Sequence, residues 1–231
     1  MALFVIPDGP DPLLSVHLET NERIIVASGT TAALSDGLRL RVQMPGGVLR
    51  TLTRTMLRGV LPPRQLVEAD RAPGDVLLAP AFPGEIRVLE IGQKQYRLPS
   101  HAFLAASSEI LLKTIGRAPA RPGGSPIVET SGVGKLALTG FGSIRELQLE
   151  SDRPVLVNGG QLVGWDSRIV CERADSARGL LFGKRNGGHE HLLRFRGNGS
   201  LYICSRRPDA ILHRLLRGLP PGIRSAWGIH G

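Results

Sequence analysis

The chain has 231 residues, a formal net charge of +9 and 42% hydrophobic residues. That hydrophobic content is enough for a sizeable core and excludes a wholly disordered chain. No apolar run approaches the ~18 residues of a membrane-spanning helix, and the short apolar start at Met1–Ile6 lacks a basic leader, so neither a membrane span nor a secretory signal is expected.

One sequence pattern occurs three times along the chain. Gly84–Leu89 returns as Gly142–Leu147, and the match continues without a gap, while a more diverged copy lies upstream. The aligned pairs include Ile91 with Leu149, Leu98 with Leu156, Leu104 with Leu162 and, upstream, Leu18 with Ile91 and Ala33 with Ala106. A repeat of this length is a supersecondary unit that needs neighbours to cover its apolar face. We therefore predict repeat 1 at 1–83, repeat 2 at 84–141 and repeat 3 at 142–207.

Short strands are predicted inside each repeat, with one departure in repeat 1. Residues 48–61 carry Leu49, Leu52, Met56 and Val60 near helical spacing before Pro62, which predicts a short helix or an irregular insertion. In repeat 2 the strands are expected at 86–91, 96–98 and 110–112. Between the last two, small residues at 102–106, matched by 159–164, predict a bend at which backbones approach closely.

Each repeat closes on a glycine hairpin and an alternating strand. The structural glycines are Gly74 in repeat 1, Gly132 and Gly134 in repeat 2, and Gly197 and Gly199 in repeat 3. Glycine supplies the positive φ angles that tight hairpins require. Period-2 apolar residues follow each hairpin, so these strands are expected to face a core on one side.

The C-terminal segment 208–231 has a helical pattern of its own. Asp209 can cap a helix that ends at Gly218, and its apolar residues are Ile211, Leu212, Leu215 and Leu216. His213, Arg214 and Arg217 share the opposite face. Such a basic amphipathic helix can bind a partner groove or an anionic membrane. The alternative is that its apolar face packs on the sandwich or across a subunit interface.

The order and spacing of these motifs resemble a known family. The motifs are the three glycine hairpins, the Ala79–Gly84 step between repeats and the closing run Gly197–Arg206. They resemble the altered-inheritance-of-mitochondria family of bacterial and mitochondrial proteins, whose fold is similar to that of the tryptophan RNA-binding attenuation protein. The resemblance implies an all-β, triplicated β-sandwich of the short double-stranded β-helix type, here with a short C-terminal helix. It also implies trimers that form a ring of nine similar units, and it supplies no catalytic residues.

The residues suggest little chemistry. His189 and His191 flank Glu190 and, on a strand, would share one face, but a zinc site needs at least three protein ligands and no third is near. Lys184 and Arg185 before Asn186–Gly188 lack the phosphate-loop pattern, so a hairpin turn is expected there. We therefore expect no catalytic residues, no metal and no cofactor.

A basic cluster in repeat 3 is the candidate polyanion surface. Its members are Lys184, Arg185, Arg194, Arg196, Arg206 and Arg207. If its strands pair, several of these side chains could contact phosphates together. Aromatic residues are only 4%, however, and single-stranded nucleic acids are normally held by aromatic stacking. The RNA-binding relative uses basic residues on every ring subunit, and no such set recurs in all three repeats. A solvated basic rim is the alternative.

Three functions remain open. The first is a non-enzymatic oligomeric scaffold or binding protein, expected as a homotrimer, that acts at a protein or membrane surface. The second is a nucleic-acid-binding ring, and the third is a small-ligand binder. Cys171 and Cys204 are too few for a disulfide framework, so buried free thiols in a reducing cytoplasm are expected.

Overall fold

The computed structural model describes residues 2–6, 12–43, 64–117, 125–174 and 192–207. These residues form strands connected by turns, and their helical content is two 3₁₀ turns at Ser100–Ala102 and Gly159–Gln161. The all-β prediction is therefore confirmed. The predicted helix near 48–61 and the predicted C-terminal helix with Ile211, Leu212, Leu215 and Leu216 lie outside the described residues.

The strands follow the same order in each repeat. A short strand, β1 (Leu3–Val5), comes first. Repeat 1 contains β2 (Leu14–Leu18), β3 (Arg23–Ala27), β4 (Thr31–Leu34), β5 (Arg39–Gln43), β6 (Arg64–Glu68) and β7 (Gly74–Leu78). Repeat 2 contains β8 (Ile86–Ile91), β9 (Tyr96–Pro99), β10 (Phe103–Ser107), β11 (Leu111–Arg117), β12 (Pro126–Ser131) and β13 (Gly134–Thr139). Repeat 3 contains β14 (Ile144–Leu149), β15 (Val155–Asn158), β16 (Leu162–Asp166), β17 (Val170–Arg173), β18 (Leu192–Arg196) and β19 (Gly199–Cys204). We call the six strands of a repeat a to f in chain order.

Successive repeats share their sheets. Sheet 1 has the order β1-β2-β7-β4, which is β1 followed by strands a, f and c of repeat 1. Sheet 2 has the order β5-β6-β3-β10-β13-β8, which joins strands d, e and b of repeat 1 to c, f and a of repeat 2. Sheet 3, β11-β12-β9-β16-β19-β14, joins repeats 2 and 3 in the same way, and sheet 4 is β15-β18-β17. Each repeat therefore has half of its strands in one sheet and half in the next.

Three apolar cores lie between these sheets. The first core belongs mainly to repeat 1, and it includes Leu14, Val76 and Leu78. The second belongs mainly to repeat 2, and the third mainly to repeat 3, with Trp165 and Phe195 in edge-to-face contact at 5.6 Å between ring centroids. The apolar residues that alternate along the strands therefore face these cores, as expected for half-buried strands.

The gap-free alignment of the repeats is wrong by one residue after the first strand. Ile91 and Leu149 are equivalent as predicted, because they lie opposite Gly134 and Gly199. Farther on, the two 3₁₀ turns follow Pro99 and Asn158, so Leu98 corresponds to Val157 and not to Leu156. Repeat 3 has one more residue in its turn between strands a and b, and apolar residues on both sides hid this insertion from the sequence comparison.

The predicted bend at 102–106 is a strand over most of its length. β10 (Phe103–Ser107) is buried at all five positions, and so is its equivalent β16 (Leu162–Asp166). Both faces of these c strands are covered, which explains a continuous run of apolar and small residues without alternation. The irregularity that the small residues indicated is present as a β-bulge between Phe103 and Ala105.

Candidate functional site

The glycine hairpins have a structural role in every repeat. Gly132, Gly134, Gly197 and Gly199 all have φ between +116° and +144°, a region that side chains rarely adopt. Gly74 packs against Ser35, the residue that follows β4. Gly134 packs against Ser107 and Gly199 against Asp166, the last residues of β10 and β16. A Cβ atom at any of these glycines would lie within 3 Å of that neighbour's Cβ.

The polar residue beside each glycine is also structural. Ser35 Oγ accepts a hydrogen bond from Asp75 N at 2.9 Å, and Ser107 Oγ accepts one from Lys135 N at 2.9 Å. At the same place in repeat 3, the buried carboxylate of Asp166 accepts hydrogen bonds from Arg168 Nε at 2.9 Å and Nη2 at 2.6 Å. Burial opposes ionisation of Asp166, but the hydrogen bonds from Arg168 outweigh it and hold the pKa of Asp166 below its usual value.

A second set of equivalent positions lies on the paired strands a and f. His17 Nδ1 is 2.8 Å from Asp75 Oδ1 in repeat 1, and Lys135 Nζ is 3.9 Å from Glu90 Oε1 in repeat 2. In repeat 3 the pair is neutral, because Gln148 Nε2 donates to Ser200 Oγ at 3.1 Å. The hydrogen bond to Asp75 raises the pKa of His17. One pair is neutral, and the two charged pairs carry the acidic residue on opposite strands. These side-chain pairs therefore stabilise the pairing of strands a and f rather than form one kind of ligand site in every repeat.

The candidate polyanion cluster is divided in the described part of the chain. Lys184 and Arg185 lie outside the described residues, as do His189, Glu190 and His191. Arg194 and Arg196 lie on β18, and Arg196 Nη2 is 3.9 Å from Glu172 Oε2. Arg206 and Arg207 follow the far end of β19, next to the junction between repeats 2 and 3, where Arg206 N donates to Phe141 O at 3.1 Å. The four described arginines therefore do not form one compact patch.

Metal and redox chemistry find no support among the residues that are described. No group of His, Cys, Asp and Glu side chains there could hold a metal ion. Cys171 and Cys204 are free as predicted, but only Cys204 is buried and Cys171 is half-buried. Partial burial still raises the pKa of the Cys171 thiol to about 11, which lowers its reactivity at neutral pH. An open groove of about 610 Å³ lies between repeats 1 and 2. Two of its four acidic lining residues, Glu68 and Asp70, form ion pairs with Arg41 and Arg39.

Among the described residues, the d strands expose apolar side chains at the ends of three sheets. β5, β11 and β17 are the end strands of sheets 2, 3 and 4, and we call them the d edges. They expose Leu40, Val42, Leu111, Ile115 and Val170, with values from 41% to 69%. Exposed cations share these strands, namely Arg39, Arg41, Lys113, Arg117 and Arg173. Sequence analysis missed this surface, although the mixture of apolar and basic residues in 111–117 was visible.

Comparison with known proteins identifies the family. Residues 4–206 match the sequence model of the family described as Mitochondrial biogenesis AIM24. The chain belongs to the AIM24 family. This confirms the resemblance inferred from the hairpins and the spacing of the repeats.

Two relatives of this AIM24 family chain are bacterial. An uncharacterised protein of Streptococcus pyogenes serotype M6 is 29% identical over 223 residues, which cover 90% of this chain and 87% of that protein. A crystal structure of a Streptococcus pyogenes protein is similar with a TM-score of 0.81 and 26% identity, and the match covers 95% of this chain and 100% of the other. Both relatives support the fold, and neither description gives an activity.

Proposed function

We propose that this protein is a non-enzymatic, oligomeric scaffold that binds a partner surface through its d edges. The observation that carries the proposal is the exposure of apolar side chains beside cations on β5, β11 and β17. Unpaired edge strands are normally protected or covered, so exposed apolar edges at equivalent places indicate a contact surface. Ser35, Ser107 and Asp166 near the hairpins are hydrogen-bonded, and the last two are buried, which supports a structural role for them and not a catalytic one.

The preferred partner is an anionic surface, either a bilayer or an acidic protein. The chain carries a net charge of +9, and the cations of the d edges lie among apolar side chains. Apolar contact combined with basic charge is the usual basis of binding to anionic membrane surfaces. None of the described residues forms a helix of the length and hydropathy that would cross a bilayer. A peripheral contact is therefore the mode that we propose, in a reducing cytoplasm where free thiols persist.

Self-assembly is the second part of the proposal. The family resemblance predicts a homotrimer, and among the described strands β4 of sheet 1 and β15 of sheet 4 each have an open side that another copy can cover. Light scattering should give a mass of three chains of 24.8 kDa each. A mass of one chain at micromolar concentration would contradict the oligomeric scaffold.

Vesicle binding tests the role of the d edges. The probe is sedimentation with phosphatidylcholine vesicles with or without phosphatidylglycerol, at low and physiological salt. The test variant replaces Val42 and Ile115 by serine, and the control replaces Leu3 and Val5, which have similar exposure on β1 in sheet 1. We expect binding to anionic vesicles that the d-edge variant loses about tenfold and the control variant keeps. Equal loss in both variants would contradict this surface.

A nucleic-acid ring is the alternative that the net charge favours. Its test is titration of mixed-sequence RNA at two salt concentrations, because phosphate binding weakens steeply as salt rises. RNA binding at physiological salt without vesicle binding would replace the membrane-surface proposal. RNA binding that is seen only at low salt would indicate non-specific electrostatic attraction and would contradict the nucleic-acid ring.

A further inference from the structure

The two junctions between repeats have the same backbone arrangement. At each junction, strand b of one repeat pairs antiparallel with strand c of the next, so that Ile25 lies opposite Ala106 and Arg97 lies opposite Trp165. The two c residues are equivalent, because each also lies opposite the matching residue of an f strand. Leu156 is the third copy of the b position, and it is 50% exposed on β15. The two junctions can therefore be compared residue by residue.

The first junction is apolar at these positions. Ile25 also lies opposite Leu66 of strand e, and both side chains pack in the second core together with Ala106. Leu112 of strand d packs against the same core from the facing sheet. Apolar residues at these four positions are therefore sufficient to join two repeats.

The second junction has polar side chains at the same four positions. Arg97 lies opposite Glu129 of strand e, and Arg97 Nη2 is 3.3 Å from Glu129 Oε1. Trp165 of strand c and Cys171 of strand d, which is equivalent to Leu112, complete the set. Burial raises the pKa of Cys171, and the positive charge of Arg97 opposes this rise. The guanidinium on sheet 3 therefore lies close to the thiol on sheet 4.

Two N–H donors at the second junction are buried without an acceptor. Trp165 is 3% exposed, and its Nε1 atom has no hydrogen-bond partner among the described residues. Arg97 Nε is also buried and has no partner there, although the same guanidinium reaches Glu129 through Nη2. Buried donors are nearly always hydrogen-bonded, because an unsatisfied donor costs free energy. Two such donors, at positions where apolar residues suffice in the first junction, indicate a site for an acceptor group.

Both donors face the gap between sheets 3 and 4. Residues opposite each other on neighbouring strands point to the same side of the sheet, so Arg97 and Trp165 share one face. The indole of Trp165 contacts Phe195 of sheet 4, and Phe195 lies opposite Cys171. The side chains of Arg97 and Glu129 are each 30% exposed, so a small molecule can approach the two donors from this side.

We infer that Arg97 and Trp165 bind the carboxylate of a small organic acid at the junction between repeats 2 and 3. A carboxylate has two acceptor oxygens, so one can accept from Arg97 Nε and the other from Trp165 Nε1. The apolar part of the acid then lies against Phe195 and Cys171. Glu129 already pairs with Arg97, so a singly charged carboxylate suits the site better than a doubly charged phosphate. This site is separate from the partner surface proposed for the d edges.

Tryptophan fluorescence reports directly on this site. The chain has two tryptophans, so Trp227→Phe leaves Trp165 as the only one. The probes are sodium butyrate, butyramide and sodium phosphate, with the ionic strength held constant by chloride. We expect a saturable change in Trp165 emission with butyrate and none with butyramide, which has a similar apolar part but no charge.

Three results of this titration would overturn the inference. The first is no response to butyrate up to about 50 mM, which is well above the millimolar dissociation constant expected for so small a ligand. The second is an equal response to butyramide, and the third is a stronger response to phosphate than to butyrate.

Arg97→Ile separates binding from folding. Isoleucine stands at the equivalent position of the first junction, so this variant is expected to fold, and circular dichroism checks that it does. The matched control is Arg145→Ile, which removes an exposed arginine from β14, the end strand of the same sheet. Both changes are made in the Trp227→Phe protein. Arg97→Ile should weaken butyrate binding by about tenfold or more, and the control should leave it unchanged. Equal binding by the two variants would refute the site.

Trp165→Phe tests the second donor. It keeps an aromatic ring beside Phe195 and removes the Nε1 donor. Isothermal titration calorimetry with butyrate should show weaker binding, while the melting temperature without butyrate should not fall, because the lost donor had no partner to lose. Unchanged butyrate affinity would exclude Trp165 from the site and overturn the inference.

Discussion

Sheets 2 and 3 are complete, whereas sheets 1 and 4 are only partly built. The complete sheets each combine three strands of one repeat with three of the next, and their cores receive side chains from neighbouring repeats. In the part of the chain that is described, each terminal sheet contains the strands of one repeat and no strand of a neighbouring repeat. β1 pairs with strand a of repeat 1, and β4 pairs with β7 on one side only. The difference teaches that a repeat in this fold is not a self-contained unit, because part of its core is supplied from outside.

The largest expected effect concerns the junction that holds the repeats together. Gly84 and Gly142 form an isolated bridge, and a Cβ atom on Gly84 would collide with the backbone of Gly140 and Gly142. Gly84→Ala is expected to lower the free energy of unfolding by more than about 4 kcal/mol, because the backbone cannot move away cheaply. Urea denaturation of the variant and the unmodified protein measures this change in the free energy of unfolding.

Gly92→Ala is the control for this junction. No atom lies within 4 Å of a Cβ built on Gly92, so its effect should stay within about 0.5 kcal/mol. Equal effects of the two substitutions would mean that the close approach at Gly84 does not hold the repeats together.

Truncating equivalent residues in a complete sheet and a terminal sheet sharpens the comparison. Ile25 is 7% exposed and Leu156 is 50% exposed. Ile25→Ala should destabilise by about 3 kcal/mol because it leaves a cavity in the second core. Leu156→Ala should cost about 0.5 kcal/mol in a dilute monomer and more in the assembly. Unfolding curves at two protein concentrations would test this, and identical costs at both positions would contradict it.

The polar residue at the end of strand c gives a third test. Asp166→Ala should lower the free energy of unfolding by about 2 kcal/mol, because it removes the acceptor for Arg168. The arginine is 64% exposed and keeps its hydration, which limits the loss. Asp166→Ser should cost less, because Ser35 and Ser107 occupy the equivalent positions. Chemical denaturation of both variants measures the difference.

The pH dependence of this site has a definite sign. The pKa of Asp166 is lower in the folded protein than the usual 3.8, so its contribution to stability is present above that pH and is lost as the pH falls through the folded value. The serine variant should therefore lose less stability in acid than the unmodified protein. A steeper acid loss in the variant would show that Asp166 is not the responsible group.

The smallest expected effect is at the exposed pair on sheet 1. The pKa of His17 is raised above 6.5 by its hydrogen bond to Asp75, so the stabilisation is complete below pH 6.5 and disappears as the pH rises through the folded value. His17→Gln, which copies Gln148 of repeat 3, should flatten the melting temperature across that range. Thermal melts of the two proteins at several pH values would reveal this. An unchanged pH profile would exclude His17 as its source.

The sequence by itself determined the all-β class, the three copies and the hairpin glycines. These are local properties: alternation of apolar residues reports a half-buried strand, and Gly132 and Gly197 occupy φ angles that glycine favours. The free thiols Cys171 and Cys204 also followed from the residue count. The family followed from the order of the same motifs.

Only the tertiary structure decided which strands pair and which surfaces remain open. Strand b pairs with strand c of the next repeat, and similarity between copies cannot tell a partner inside a repeat from one in its neighbour. For the same reason the sequence comparison placed Leu98 on Leu156, because two apolar residues match equally well in either register. Leu156 is exposed because β15 lacks the neighbouring repeat, whereas the d edges are exposed because they lie at the ends of their sheets. Both are properties of the packed sheets rather than of the strands themselves.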